Sequence, residues 1–336
     1  MPLSEEIKEK ALALGYIKCG IIAASGFPEY VRRLKKRMEQ FPASEGFYNN
    51  LMPMAAPPEG ARSIVVAAKG YAHYEIPEGM DGRIGKSLLF DARTGWSDGA
   101  KARAALVAFL EEKGVHTVSG NVPARMAADA AGVGFFGWNN FIYSDVGSYL
   151  WIETIPVDTV LNYDEALTAA EIKRACGESC RKCIDACPTG ALSAPFTMNG
   201  PMCAAPQIFF LQEPPEEMME KLGVWQYGCD VCQDVCPMNK GKLGGNAVFP
   251  RLEEAVEYLS PERLLAMDEE TYKNVILPRF WYSGENGRWK WRANALRAMV
   301  NSGGAQYRGL IKASLDDGDE RVRRVARWGC AKLGIH

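Results

Sequence analysis

With 336 residues, 47 % of them hydrophobic, the chain is long enough for a sizeable core and two or three folded units. Its 39 Lys and Arg against 41 Asp and Glu leave a net charge of -2, which excludes a general attraction to nucleic acid. No apolar run reaches the roughly 20 residues that cross a bilayer, so no membrane partner is expected. The opening MPLSEEIKEKALALGY lacks a secretory pattern, and Arg32 and Arg33 sit in the amphipathic YVRRLKKRMEQF with no apolar segment behind them for export. A reducing cytoplasm, where free thiols persist, is the expected location.

Along the chain, residues 4 to 15 have the period of an amphipathic helix, and the apolar run Ile17 to Ile22 suits a strand in which Cys19 is a small buried hydrophobe. Ala61 to Ala68 (ARSIVVAA) predicts a second strand. Ala100 to Lys113 predicts a helix stopped by Gly114, and another helix is expected around Ala124 to Ala131. The glycine-rich AGVGFFGWNN follows, then an alternating strand over Ser148 to Ile155 in which Glu153 has no assigned face. Alternation of strands and helices argues for an α/β or α+β unit over residues 1 to 165, and an α+β class for the chain.

Two cysteine runs dominate the next segment, 166 to 245. Cys176, Cys180, Cys183 and Cys187 precede Pro188, and Cys229, Cys232 and Cys236 precede Pro237. Runs of this kind hold paired [4Fe-4S] clusters, the cysteine before proline crossing to the other cluster. Two such clusters need eight thiolates, and Cys203 between the runs supplies the eighth. The expected sets are Cys176, Cys180, Cys183 with Cys236, and Cys187, Cys203, Cys229 with Cys232. Structural zinc and disulfides also use paired cysteines but do not account for a fourth cysteine before proline. Three residues separate Cys176 from Cys180 where the bacterial spacing has two, and a local bulge at Gly177 absorbs the extra one.

Beyond the Gly- and Pro-containing KGKLGGNAVFP, residues 246 to 336 read as helices, with segments Trp291 to Asn301, Tyr307 to Leu315 and Arg321 to Leu333. DDGDERVRRVARWGCAKLG has the acidic corner and apolar period of a HEAT-like repeat, with Cys330 on its apolar face. Between Arg279 and His336 there are 12 Lys and Arg against 5 Asp and Glu. That basic face suits a phosphate backbone, with Trp289 and Trp291 as stacking groups, or is a solvated face whose tryptophans belong to the core.

In ARSIVVAA, AGVGFFGWNN, GSYLWIETIPVD, CIDACPTGAL, YGCDVCQDVCPMNK and RANALRAMVNSG the chain resembles the epoxyqueuosine reductases, cobalamin-dependent tRNA-modifying enzymes related to the reductive dehalogenases, over nearly its whole length. The resemblance implies an N-terminal domain holding base-off cobalamin, a ferredoxin-like dicluster module that reduces its cobalt with electrons from an external low-potential donor, and a HEAT-like domain that helps grip tRNA. It also implies cofactor contacts along Gly132, Gly134, Gly137, Trp138 and Asn139, the glycines allowing close backbone approach to a flat macrocycle.

Three departures fall where the family builds its substrate pocket. Aligned on Arg125 and Ala131, the family's proton-donating aspartate is here Val118, in VSGNVPARM, and the lysine after the glycine of AGLGWxGK is Trp138. The Arg-Asp-Tyr-His stretch expected after Gly82 and Arg83 is KSLLFDARTGW. Asp129, Tyr143, Asp145, His73 and His116 lie near these motifs, but each reads more simply as a capping, solvated or packing group, so no catalytic acid is assigned. The expected function is a divergent iron–sulfur reductase using cobalamin on a substrate other than epoxyqueuosine in tRNA. The competing readings are an electron carrier without cobalamin and a non-catalytic tRNA-binding descendant.

Overall fold

The computed structural model describes residues 1–336 except 173–175, 178 and 211–212. Its centre is the strand β2 (Ser63–Gly70), apolar along most of its length because both of its faces are covered. β1 (Lys18–Ala23) and β5 (Leu150–Val157) flank it, with Ile21 opposite Val65 and Val65 opposite Ile155. Both pairings are antiparallel, which settles the N-terminal region as α+β. The short hairpin of β3 (Phe135–Phe136) and β4 (Ile142–Tyr143) precedes β5 in the chain.

The period-two alternation of the strands separates two cores. Val65, Ala67, Ile21, Ile155 and Val157 meet α1 (Leu3–Ala13) and α3 (Asp98–Glu112) through Ile7, Ala11, Leu106 and Leu110. Ile64, Val66, Ala68 and Ile22 meet Phe27, at the start of α2 (Pro28–Gln40), and Met126 to Ala128 of α4 (Ala124–Ala130). Each fully buried aliphatic side chain contributes about 1.5–3 kcal/mol. Only glycine fits at position 20 of β1, since a Cβ there would stand 2.3 Å from the Ala131 carbonyl oxygen at the end of α4. Cys19 packs half-buried against the first of these cores, where burial pushes its thiol up to about 12.

After β2 the chain leaves the sheet. Tyr71, Tyr74, Ile84, Leu89 and Phe90 join a larger core with Ile208, Tyr227, Phe249, Tyr272, Phe280 and Trp291. Within it Trp291 stacks on Tyr227 (4.5 Å, 11°) and meets Phe280 edge-on. The cysteine-bearing segment carries a two-stranded hairpin, β6 (Leu192–Ala194) and β7 (Thr197–Met198), and the short helix α5 (Ala204–Phe209). Each cysteine run forms one helical turn, Lys182–Asp185 and Val231–Asp234, and the two turns pack on each other.

The chain closes with α6 (Arg288–Ser302), α7 (Arg308–Ala313) and α8 (Glu320–Leu333) around Leu296, Met299, Ile311, Val322, Ala326 and the buried Cys330. The Asp319 side chain caps α8 by accepting the Arg321 N–H at 2.9 Å, and Gly303 and Gly334, both left-handed, end α6 and α8. Arg297, 1 % exposed, donates to the Gly223 and Trp225 carbonyls, locking α6 onto the cysteine segment.

Candidate cluster module and the concavity beside it

The eight cysteines of the two runs and Cys203 fall into two neighbourhoods. Burial pushes the Cys183 thiol up to about 11, and the adjacent Cys176, Cys236 and Cys180 add to the effect. Burial likewise lifts Cys229 to about 12 and Cys232 well above the usual thiol range, with Cys203 and Cys187 acting on both. Four thiols that disfavour one another's ionised form are strongly stabilised by a shared metal charge. Among the described residues no three His, Cys, Asp or Glu side chains converge as one metal ion requires. A cubane binds its thiolates at four separate corners and suits a wider set.

Local backbone builds both neighbourhoods the same way. The Ile184 N–H bonds the Arg181 carbonyl (2.9 Å) and the Cys187 N–H bonds that of Ile184 (3.2 Å), matched by Gln233 on Asp230 (2.8 Å) and Cys236 on Gln233 (3.1 Å). The extra residue of the first run is taken up in a turn closed by the Cys180 N–H on the Gly177 carbonyl (3.0 Å), and a Cβ at Gly177 would meet nothing within 4 Å.

The loop after α4 docks onto this module. Gly132, at φ +64°, is the left-handed stop of α4, followed by Val133 N–H on the Ala128 carbonyl at 2.9 Å. A Cβ at Gly134 would reach 2.5 Å from Ile142, and one at Gly137 2.4 Å from the Tyr143 ring. The small size of all three glycines therefore answers to helix termination and packing within the chain. Trp138 belongs to an apolar cluster with Cys183, Ile184, Cys187, Leu192 and Cys232. Asn139, buried, donates to the Tyr143 hydroxyl and to the Cys232 carbonyl, both at 2.9 Å.

Beside the second neighbourhood lies a concavity that the motifs did not announce. Arg125, at the start of α4, is solvent-accessible yet walled by protein: burial lowers its pKa, and Tyr30, Cys203, Tyr282 and Cys232 are within its electrostatic reach. It donates to the Asn140 carbonyl (2.9 Å), Arg37 donates to the Asn140 Oδ1 (2.7 Å), and the buried Asn140 Nδ2 has no partner among the described residues. Phe210, Trp281 and Tyr282 expose 54, 64 and 37 % of their surface, and Arg93 lies 4.8 Å from the Trp281 ring and 5.0 Å from that of Tyr282. Asp91 grips Arg93 at 2.6 Å, so the KSLLFDARTGW segment contributes an ion pair under an aromatic rim.

Behind the second run, Lys86 is 2 % exposed with its Nζ 2.9 Å from Asp234, 3.1 Å from Asp81 and 3.8 Å from Asp230. Burial raises the Asp230 carboxyl to about 6, against the pull of Lys86. The i, i+4 spacing of Asp230 and Asp234 is visible in the sequence; their common lysine 144 positions away is not.

The sites of the departures are equally specific. Val118 lies in a loop pinned by its N–H on the Pro156 carbonyl (2.8 Å). Nearby His116 and Glu111 pair at 2.7 Å on the surface. Tyr143 is buried against Cys236, Asp145 is exposed, and burial lowers the pKa of His73. Glu153 turns toward α3 and pairs with Arg103 at 2.8 Å.

Part of the basic C-terminal face is paired within the chain. Arg292 pairs with Asp317, Arg321 with Asp319, Arg323 and Arg327 with Glu320, Arg288 with Glu269, and Lys332 with Glu220. Trp291 is 2 % exposed, and Trp289 lies beneath Arg321 at 3.9 Å, so neither tryptophan offers a free face for a base.

Taken together, the fold and the two thiol sets define a double-cluster iron–sulfur oxidoreductase. A family model described as a 4Fe-4S double cluster binding domain matches residues 175–239. The epoxyqueuosine reductase of Cellulophaga algicola is 30 % identical over 256 residues, 70 % of this chain and 79 % of that protein. A crystal structure of epoxyqueuosine reductase with an epoxyqueuosine-modified tRNA stem loop superposes with a TM-score of 0.77 at 27 % identity, covering 99 % of this chain and 90 % of the other. The Bacillus subtilis enzyme, solved with its aspartate-bearing catalytic loop swung out of the active site, matches at 0.77 and 26 % identity over 98 % of this chain and 90 % of the other. The chain belongs to the epoxyqueuosine reductase family.

Proposed function

We propose that this reductase holds two [4Fe-4S] clusters, one on Cys176, Cys180, Cys183 and Cys236 and the other on Cys187, Cys203, Cys229 and Cys232, and a cobalamin in the concavity of Arg125. The observation that carries the reading is that Arg125 donates to the Asn140 carbonyl while the adjoining Asn139 donates to the Cys232 carbonyl, both at 2.9 Å, which ties Arg125 to the second thiol set. The Asn140 Nδ2, without a partner among the described residues, offers a hydrogen bond to an amide-rich macrocycle, and the loop of Gly132, Gly134, Gly137, Trp138 and Asn139 would form its wall. When bound, the corrin supplies a low-potential cobalt centre for two-electron reduction. The chain's own residues orient it, exclude water and set the charge around it.

Three parts in chain order, 1–165, 166–245 and 246–336, correspond to cofactor domain, cluster module and a HEAT-like helical unit. The cysteine chemistry suits a reducing cytoplasm.

The substrate we propose is not epoxyqueuosine in tRNA. Val118 carries no proton to donate. Anaerobic assays with an epoxyqueuosine-modified tRNA stem loop test this directly. The native chain is expected to leave it unreduced, while Val118→Asp should recover activity, a positioned acid being worth roughly 10²–10⁴-fold. Native turnover at an ordinary enzymic rate, on the order of 1 s⁻¹ or faster, would contradict the substrate reading.

A further inference from the structure

Past Gly70 the chain leaves β2 and runs against the loop that follows the second cysteine run. The Glu75 N–H bonds the Ala247 carbonyl (2.8 Å), and the Ala247 N–H bonds that of His73 (3.1 Å). Between this pairing and the turn from α1 into β1 lies a cavity of about 690 Å³, bounded by Gly15, Lys69, His73, Asp98, Val146 and Lys242. Small-molecule sites run to roughly 300–1,000 Å³. By the alternation of β2, Lys69 stands on the face of Val65 and Ala67, which α1 and α3 cover, whereas Arg125 belongs to α4 on the opposite face. Neither Arg125 nor any of the eight cysteines is among the described residues that line the cavity.

The chain keeps this space open. Five of its fourteen lining residues are glycines, so much of the wall is bare backbone. A Cβ at Gly245 would run into the His73 carbonyl oxygen, and one at Gly15, where φ is +81°, would stand 3.0 Å from the Lys69 Nζ.

Its charge is positive. Lys69 Nζ donates to the Leu14 and Gly15 carbonyls (3.1 and 3.3 Å), and Lys242 Nζ to that of Asp145 (2.7 Å). Neither lysine is bonded to a carboxylate among the described residues. Asp98, the one carboxylate of the lining, already accepts from the Tyr74 hydroxyl at 3.1 Å and faces Lys101 at 3.9 Å. Burial disfavours the Lys69 ammonium, a cost that a bound anion would offset. Beside the cations, Ile17 and Leu243 are apolar, and the exposed His73 stacks on Tyr74 at 4.0 Å.

We propose that this cavity is a second ligand site, taking a phosphorylated metabolite of about mononucleotide size whose phosphate is met by Lys69 and Lys242 and whose body lies against His73, Ile17 and Leu243. Lysine ammonium groups bind phosphate as point charges with several donors each. The site is independent of the cluster and cobalamin readings.

The test is isothermal calorimetry with adenosine monophosphate as the probe, on anaerobically purified protein with and without saturating cobalamin. A single nucleotide per chain should bind. Its affinity should fall about tenfold or more in Lys242→Glu and in Lys69→Met, the scale of one lost charge-assisted hydrogen bond. Adenosine, which lacks the phosphate, should bind more weakly than the monophosphate by a similar factor. Lys242 is exposed, so Lys242→Glu should keep the native melting temperature and iron content, which separates a lost contact from a lost fold. Cobalamin should leave the nucleotide affinity unchanged. No binding at millimolar nucleotide, native affinity in both variants, adenosine binding as tightly as the monophosphate, or displacement of the nucleotide by cobalamin would each overturn the second site.

Discussion

The two halves of the cysteine module share one backbone design and differ in what surrounds it. Both turn a Cys-x-x-Cys-x-x-x-Cys-Pro run into a single helical turn with the same hydrogen bonds. Around the first half the ion pair is exposed, Arg181 with Asp185. Behind the second a buried lysine, Lys86, pairs with the buried Asp230 and with Asp234 and Asp81 nearer the surface. Thiol spacing sets the local fold, whereas burial and charge set what each half can do: one end meets solvent beside the exposed Lys182, and the other meets Arg125.

The comparison breaks most sharply at the thiols. Replacing Cys232 with Ser, or Cys183 with Ser, should cost one cluster each, about four irons by analysis, because the module's order depends on ligation. If both variants keep a full iron content, the two-set partition is wrong.

Next in size is the pair of charge networks. Lys86→Met leaves the buried Asp230 carboxylate uncompensated and should destabilise the protein by about 3–5 kcal/mol in chemical denaturation. Arg181→Ala, in the equivalent place on the other half, should cost less than about 1 kcal/mol. Equal effects would mean that the two environments do not differ as the geometry indicates.

The smallest effect is electrostatic and lies at the base of the Val118 loop. Glu111 raises the pKa of His116, first through their hydrogen bond and then through its charge. The imidazolium is thus favoured in the folded state. Its contribution to stability is full below the unfolded value near 6.5 and is lost as pH rises through the raised folded value. NMR titration of His116 in the native chain and in Glu111→Gln should show a lower pKa in the variant; an unchanged pKa would remove the pairing.

Much of this was legible from residue order. Cysteine spacing before proline announces the module because ligation fixes geometry locally, the apolar runs announce β1 and β2 because both faces of the sheet are covered, and alternation announces β5. The antiparallel pairing is a long-range fact that period-two patterning does not carry. The ion pairs of the basic tail are hidden for a related reason: in a linear sequence Arg292 and Arg321 look free, and only packing reveals Asp317 and Asp319 beside them. Glycine spacing alone does not reveal that Gly134 and Gly137 pack closely on Ile142 and Tyr143. Arg125, Tyr30 and Tyr282 form no motif, since they come from three distant segments that meet only in the fold.

The most direct measurement is anaerobic purification with iron and sulfide analysis, followed by cobalamin titration observed by visible absorbance. About eight irons per chain, as two cubanes require, together with tight base-off cobalamin binding that weakens in Arg125→Gln, is the predicted result. Eight irons with no corrinoid binding would contradict the claim and leave an electron carrier in its place.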